Sequence, residues 1–348
     1  MNVALAFNIK KSKPSTDLTK QKDLEFDTPA VIKGITKSLE ELGHKVLKVE
    51  ADESAFTKLK KLMNLPAGRQ VDILFNIAEG LRGDARESQI PMYCEVLDIP
   101  YTHSNPTTHA ITLNKTFTKL ILKGFGGFNI PQSFIVQDKN YEIPKDLTYP
   151  VIVKPNSEGS SKGIMDANVV ERERDLRKRI EITTENFTKE VLVEEYIEGR
   201  EFTVATLGSG KNTRVLPIIE QKFDLLPKGK FKIASFELKW IYEYKMKSVS
   251  DVYECPAKID RDMRLKIQRT TKDICELLDV RDAARVDYRL TPRGKLYFLE
   301  INTLPGINPD PNETSCYPLA ARTAGLNFTK MIGKILNSAS KRYHLTTS

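Results

Sequence analysis

Short apolar runs and helical spacing alternate along the first hundred residues. Val3 to Phe7, Lys45 to Val49 and Val71 to Asn76 read as strands, and Ala30 to Leu42 carries apolar positions at helical spacing. That order predicts a parallel sheet with covering helices, up to roughly residue 105. Between the first strand and helix, Ile9 to Asp27 is polar and rich in Lys, Ser and Thr, the composition of a mobile loop or lid. Asn105-Pro106 opens a helical pattern through Leu122, stopped by Gly124, Gly126 and Gly127. A second unit follows, with a strand from Tyr149 to Lys154 and the small-residue run Asn156 to Gly163. A third begins near Val191 and closes with a helix near Phe328 to Ser338. The expected division is 1–105, 106–188 and 189–340.

The densest pattern lies in the third unit. Ala284 to Leu290 and Lys295 to Ile301 flank a turn at Thr291-Pro292-Arg293-Gly294 and predict an antiparallel hairpin. Period two puts Arg285 with Asp287, and Glu300 with Asn302. A turn centred between Pro292 and Arg293 sets Asp287 opposite Phe298 and diagonal to Glu300; a shift of two residues sets it directly opposite Glu300. Either register leaves all four polar groups on one face. Such groups make poor core filling, since each needs a partner when buried. They suit Mg²⁺ and triphosphate, because hard oxygens hold the ion and a guanidinium neutralises phosphoryl oxygens.

Composition narrows the classes. With 348 residues and 40% hydrophobic content, two or three compact units are within reach. The net charge of +8 is scattered among 46 acidic residues, with no basic run interleaved with aromatics, so it reads as a solvated, phosphate-attracting surface and not as a nucleic-acid site. Cys94, Cys255, Cys275 and Cys316 lie far apart and read as reduced thiols, and with only four histidines zinc is not expected. Met1 to Phe7 is too short for a signal-peptide core and no run approaches the ~18 residues of a membrane span, so a cytoplasmic protein without membrane contact is expected.

Glu158-Gly159-Ser160-Ser161-Lys162-Gly163 supplies small residues, free backbone N–H groups and hydroxyls, as loops that close over phosphates do. It lacks the Walker A order. Alone it is equally a plain hairpin loop. Lys154, at the end of the preceding strand, is expected to point a cation toward that loop. Val191 to Glu201 joins a buried-type strand to a cluster of acids.

Taken in order, these segments resemble the ATP-grasp enzymes, and within them the D-alanine:D-alanine ligases. The matching stretches are Phe75 to Gly83 with Asp84 and Gln89, Ile99 to Thr102, Asn114-Lys115 with Lys119, Val153-Lys154-Pro155 with Glu158 to Gly163, Glu194 to Glu201, Cys255 to Ala257, and Ala284 to Gly306. The resemblance covers about residues 72 to 335. It implies an α/β N-terminal parallel-sheet domain, then small central and C-terminal α+β domains that clasp ATP. It implies that Lys115, Lys154 and the loop around Ser161 hold phosphates, that Glu194, Tyr196 and Ile197 hold adenine and Glu201 ribose, and that Lys245 reaches the γ-phosphate. Asp287, Glu300 and Asn302 would ligate two Mg²⁺ ions, or Mn²⁺ in their place. Ser160 would sit over the first substrate, with Arg285 and the Gly306 N–H stabilising the oxyanion. A homodimer through the first domain would fit the family.

Departures concern the substrate pockets. The donor-gripping glutamate has only Glu25 as a counterpart, Glu79 stands where a histidine is common, Met246 replaces a tyrosine, and about three extra residues precede Ser315 in the stretch resembling the acceptor-carboxylate site. Three readings stay open: a D-alanine:D-alanine ligase working through an acyl phosphate, an ATP-grasp ligase for a different amino acid or peptide, and a catalytically silent nucleotide-binding protein.

Overall fold

The computed structural model describes residues 1–12, 17, 23–138, 140–187, 190–243 and 246–345. The first unit comprises β1 (Asn2–Phe7), α1 (Pro29–Glu41), β2 (Lys45–Glu50), α2 (Ala55–Met63), β3 (Ile73–Asn76) and α3 (Gln89–Val96). Its sheet is parallel with order β2-β1-β3, as expected from the alternation. β1 is covered on both faces, which is why it is apolar without interruption. Val3, Leu5 and Phe7 pack with Ile35 and Leu39 of α1, while Ala4 and Ala6 pack with Leu59 of α2. Of the polar stretch Ile9 to Asp27, both ends are described: Lys10 N donates to Asp27 O at 2.8 Å and Asp23 accepts from the amides of Lys11 and Ser12. Residues 13–16 and 18–22 lie outside the described residues.

The single helix expected from Asn105 is two, α4 (Pro106–Leu113) and α5 (Lys115–Phe125). Asn114 separates them with ψ 102° and its side chain accepts from Phe117 N at 2.9 Å. An asparagine that caps the next helix satisfies an orphan donor better than it continues the previous one. The restart sets Lys115 and Lys119 one turn apart on the same face.

The second sheet holds β4 (Ser133–Val136), β5 (Val151–Pro155), β6 (Val169–Val170) and β7 (Val191–Glu195), in the order β4-β7-β5-β6, with α6 (Glu173–Asn186) packed on one side. β7 therefore pairs within this sheet, whereas a division at residue 188 would have put it in the third unit. Val151, Val153, Val191 and Val193 face Leu176 and Ile180 of α6. The alternate positions Ile152, Lys154, Leu192 and Glu194 face the other way, by the period of two.

The third unit contains β8 (Arg200–Leu207), β9 (Arg214–Val215), β10 (Ile219–Gln221), β11 (Tyr253–Glu254), α7 (Arg261–Leu277), β12 (Ala283–Leu290), β13 (Leu296–Asn302), α8 (Cys316–Thr323) and α9 (Phe328–Arg342). Its strand order is β11-β10-β8-β12-β13, with β9 beside β8. One face is apolar: Phe202, Val204, Val286 and Tyr288 pack on Ile267 and Ile274 of α7, each large side chain contributing roughly 1.5–3 kcal/mol on burial. α9 runs longer than expected, to Arg342, and joins α1 in a core that continues from the first sheet into Ala205 and Leu207 of β8. That shared core sets the first unit against the third.

Candidate active site

The hairpin forms with one irregularity that decides the site. Tyr288 lies opposite Phe298, but Asp287 lies directly opposite Glu300 and Arg285 opposite Asn302, so Leu299 is an extra residue and the strand bulges there. Neither uniform register is found; the turn end follows neither alternative, and the far end has Asp287 across from Glu300. The alternation extends across the sheet, because Thr203 pairs with Asp287 and Glu201 with Arg289. Thr203 Oγ1 donates to Asp287 Oδ1 at 2.8 Å, Arg285 Nη2 donates to Asp287 Oδ2 at 3.0 Å, and Arg289 pairs with Glu201 at 2.6 Å. Burial and then Glu300's repulsion push the Asp287 carboxyl upward, against the pull of Arg285.

Facing this wall is the polar side of the second sheet. Glu194 is 1% exposed and both its oxygens are taken, one by Lys154 at 2.5 Å and the other by Lys119. Burial alone would raise its carboxyl, yet the two ammonium groups together hold it at about 2. Lys154 thus reaches across its own sheet to Glu194 and not toward the loop after β5, a correction to the expected direction. Lys115 does reach the loop: its Nζ donates to Glu158 O at 2.5 Å and lies 3.3 Å from Glu300. Burial opposes ionisation of Glu300 too, but Lys115, Lys154 and Arg285 bring it to about 2.

The loop 156–163 is held from several sides. Ser160 and Ser161 both adopt left-handed backbone, φ 51° and 59°. Ser161 Oγ donates to Ala234 O at 2.7 Å, and Trp240 Nε1 donates to Ser160 O at 3.4 Å. Glu25 accepts from Gly159 N at 2.7 Å and from Arg86 Nη2 at 2.7 Å, while Arg86 Nη1 donates to Ser157 O at 2.7 Å. A Cβ on Gly159 would stand 2.4 Å from Glu25 Oε1, so a larger residue there would displace the Glu25 carboxylate from the amide. Glu79 sits beside the group, and its carboxyl is raised well above the usual range, first by burial and then by Glu87 and Glu25.

Between the walls lies a cleft of about 1060 Å³, counting its open mouth, lined by Lys154, Ser160, Ser161, Glu194, Tyr196, Ile197, Glu201, Arg285, Asp287 and Glu300 among others. Tyr196 packs edge-on against Phe231 with ring centroids 5.1 Å apart. Residues 128–337 match the family model for the D-ala D-ala ligase C-terminus. Over 308 residues the chain is 33% identical to a D-alanine–D-alanine ligase of Aquifex aeolicus, covering 87% of this chain and 92% of the relative. The chain belongs to the D-alanine–D-alanine ligase family.

It is accordingly an ATP-dependent ligase that forms C–N bonds and acts on small molecules. A further relative, the "Uncharacterized protein y4sG" of Sinorhizobium fredii, is 32% identical over 314 residues, with 89% of this chain and 87% of that one covered. The ligase fold is shared with the D-alanine–D-alanine ligase of Bacillus anthracis complexed with ATP, at TM-score 0.72, 21% identity and 99% coverage of both chains. The VanG D-Ala:D-Ser ligase of Enterococcus faecalis aligns at TM-score 0.68 and 22% identity, with 97% of this chain and 99% of that one covered.

Not every expected residue of the ligase reaches the cleft with a free group. Asn302 Oδ1 accepts from Leu304 N at 2.8 Å. Gly306 is exposed beyond the cleft wall and its carbonyl accepts from Ser315 Oγ at 3.2 Å, so Ser315 closes its own loop. Lys245 lies outside the described residues. Arg289 and Lys239, which line the cleft, and Arg86, which braces the loop beside it, carry roles that the expected set does not include. Arg289 continues the alternation of Arg285 and Asp287 by two more positions, a signal that could have been followed. Arg86 and Lys239 carry no comparable signal, since their roles depend on distant elements meeting.

Proposed function

We propose that the ligase uses ATP to phosphorylate an amino-acid carboxylate and joins the resulting acyl phosphate to the amine of a second amino acid, with D-alanine in both places. The observation that carries this reading is the meeting of Glu300 and Asp287, opposite each other on one wall, with Lys115 3.3 Å from Glu300. The naming of the Aquifex relative supports D-alanine. Two carboxylates and an amide on one face suit Mg²⁺, which takes the rest of its oxygen shell from nucleotide phosphates. Burial and then Glu300 raise the Asp287 carboxyl, and a divalent cation held by these residues would offset both. Asp287, Glu300 and Asn302 would hold two Mg²⁺, or Mn²⁺, which supply charge neutralisation at the transferring phosphoryl group.

Lys115, Lys154 and the Ser161 loop would bind phosphates. Glu194 would act by fixing Lys154 and Lys119, leaving adenine to the Tyr196 ring and the backbone to Ile197. Glu201, braced by Arg289, would take the ribose. Arg285, which lines the cleft, and the Gly306 N–H would meet charge on the tetrahedral oxygen. Ser160 would cover the donor, Glu25 and Glu79 would face its ammonium, and Ser315 would read the acceptor carboxylate. A second reading, a different amino acid or peptide as acceptor, is favoured by Met246 and by the long loop before Ser315.

Mass spectrometry of products from ATP, Mg²⁺ and D-alanine tests the proposal, and a dipeptide is the expected result. ADP release only with other amine partners supports the second reading. Failure of every amino acid and dipeptide to stimulate ADP formation sinks both. Met92 and Val96, 51% and 67% exposed on α3, support a homodimer through the first domain, which light scattering reads. Among the described residues no helix is long and apolar enough to cross a membrane, and cell fractionation is expected to find the ligase in the cytoplasm.

A further inference from the structure

Glu243 follows the helical turn Leu238–Tyr242 and lines the end of the cleft that also holds Lys239, Arg285, Tyr253 and Cys316. It is 5% exposed, and its Oε2 has no hydrogen-bond partner among the described residues. A buried polar atom left so is costly, and a ligand's donor is the natural remedy. Its other contacts fix where that donor would come from. Thr314, which bonds the carboxylate, immediately precedes Ser315 in the loop expected to hold the acceptor.

We propose that Glu243 receives the acceptor's ammonium and takes one proton from it, leaving an amine that attacks the activated carboxylate. The idea rests on the ligase reading above. An ammonium has no lone pair, so one proton must leave before attack. That proton goes to Glu243. The amine nitrogen then bonds to the carbonyl carbon of the acyl phosphate, the C–O bond to phosphorus breaks, and phosphate departs with the electron pair. The second nitrogen proton passes to solvent. The groups facing Glu243 are Lys239 from its own helical turn, Tyr253 from β11, and Glu313 and Thr314 from the loop. Burial, with a smaller push from Glu313, outweighs Thr314 and Lys239 and brings the carboxyl up to about 7. A base tuned near the working pH is the efficient kind.

Hydroxylamine separates the two halves of the reaction, because this small neutral nucleophile traps the acyl phosphate as a hydroxamate without needing a base. Parent, Glu243→Gln and Glu243→Asp are assayed with ATP, Mg²⁺ and D-alanine, or with whichever amino acid the donor screen identifies. The Gln variant is expected to keep hydroxamate formation and to lose dipeptide formation by about 10²-fold or more, the usual worth of a positioned base. The parent's dipeptide rate should fall as pH drops through about 7. That limb should vanish in Gln and return in part with Asp. Parental dipeptide rate in the Gln variant, or equal loss of hydroxamate and dipeptide in a variant that melts normally, overturns the proposal. Absence of hydroxamate from the parent with every amino acid tested overturns the ligase reading itself.

Discussion

Replacing Glu300 with alanine should abolish ATP turnover and leave the protein folded. The carboxylate lies opposite Asp287, 3.3 Å from Lys115, in the field of Lys115, Lys154 and Arg285. If Mg²⁺ and phosphates occupy this face, its loss removes charge stabilisation made where the phosphoryl group moves. A loss of at least about 10² to 10³ in rate is expected, the range for removing one preorganised stabilising group. Folding should be spared. The Glu300 side chain is 34% exposed, and a partly exposed ion pair is worth at most ~1 kcal/mol. Its repulsion of Asp287 disappears as well, which offsets part of the loss. ADP release beside a thermal melt decides the matter: near-normal turnover in a normally melting variant removes Glu300 from the metal site.

The opposite balance is expected at Glu194. Glu194→Ala should destabilise the protein by roughly 3–5 kcal/mol, because it leaves Lys119 and Lys154 buried side by side without the carboxylate that hydrogen-bonds both. Burial already lowers Lys119, so in the variant that lysine is the one expected to give up its proton. The same group sets an acid limit. Its carboxyl is depressed to about 2 in the folded protein, below an unfolded value of roughly 4.3. Its contribution is therefore complete above about pH 4.3 and is lost as pH falls from there toward 2. Denaturant melts of parent and variant between neutral pH and pH 3 read both effects. A variant as stable as the parent at neutral pH would show that the two lysines find solvent or each other tolerable, and the triad would lose its structural role.

The two substitutions differ because their surroundings differ, and only part of that was written in the chain order. Periodicity of two was legible: Arg285, Asp287, Glu300 and Asn302 could be put on one face from the residues alone, and the parallel first sheet from its strand and helix alternation. A local count does not reach further than that. The bulge at Leu299, which brings Asp287 across from Glu300, depends on β13 fitting both β12 and the backbone of Asn129, whose carbonyl accepts from Phe298 N. Sequence nearness alone points Lys154 at the loop that follows it. In the fold its side chain crosses to β7 and finds Glu194, forty residues on.

Chain order dictates which side chains share a face, where the Gly-rich loop lies, and that polar groups of this kind need ligands more than a core. Those properties follow from backbone geometry within one element, which neighbouring residues dictate. The tertiary structure alone decided which faces meet: Glu194 with Lys119 of α5 and Lys154 of β5, Glu25 with Arg86 and Gly159, and Glu243 with the loop before Ser315. Each of those meetings joins residues far apart in the chain, and each is set by the packing of whole elements, since a charge is buried only where the fold also delivers a partner or leaves room for one.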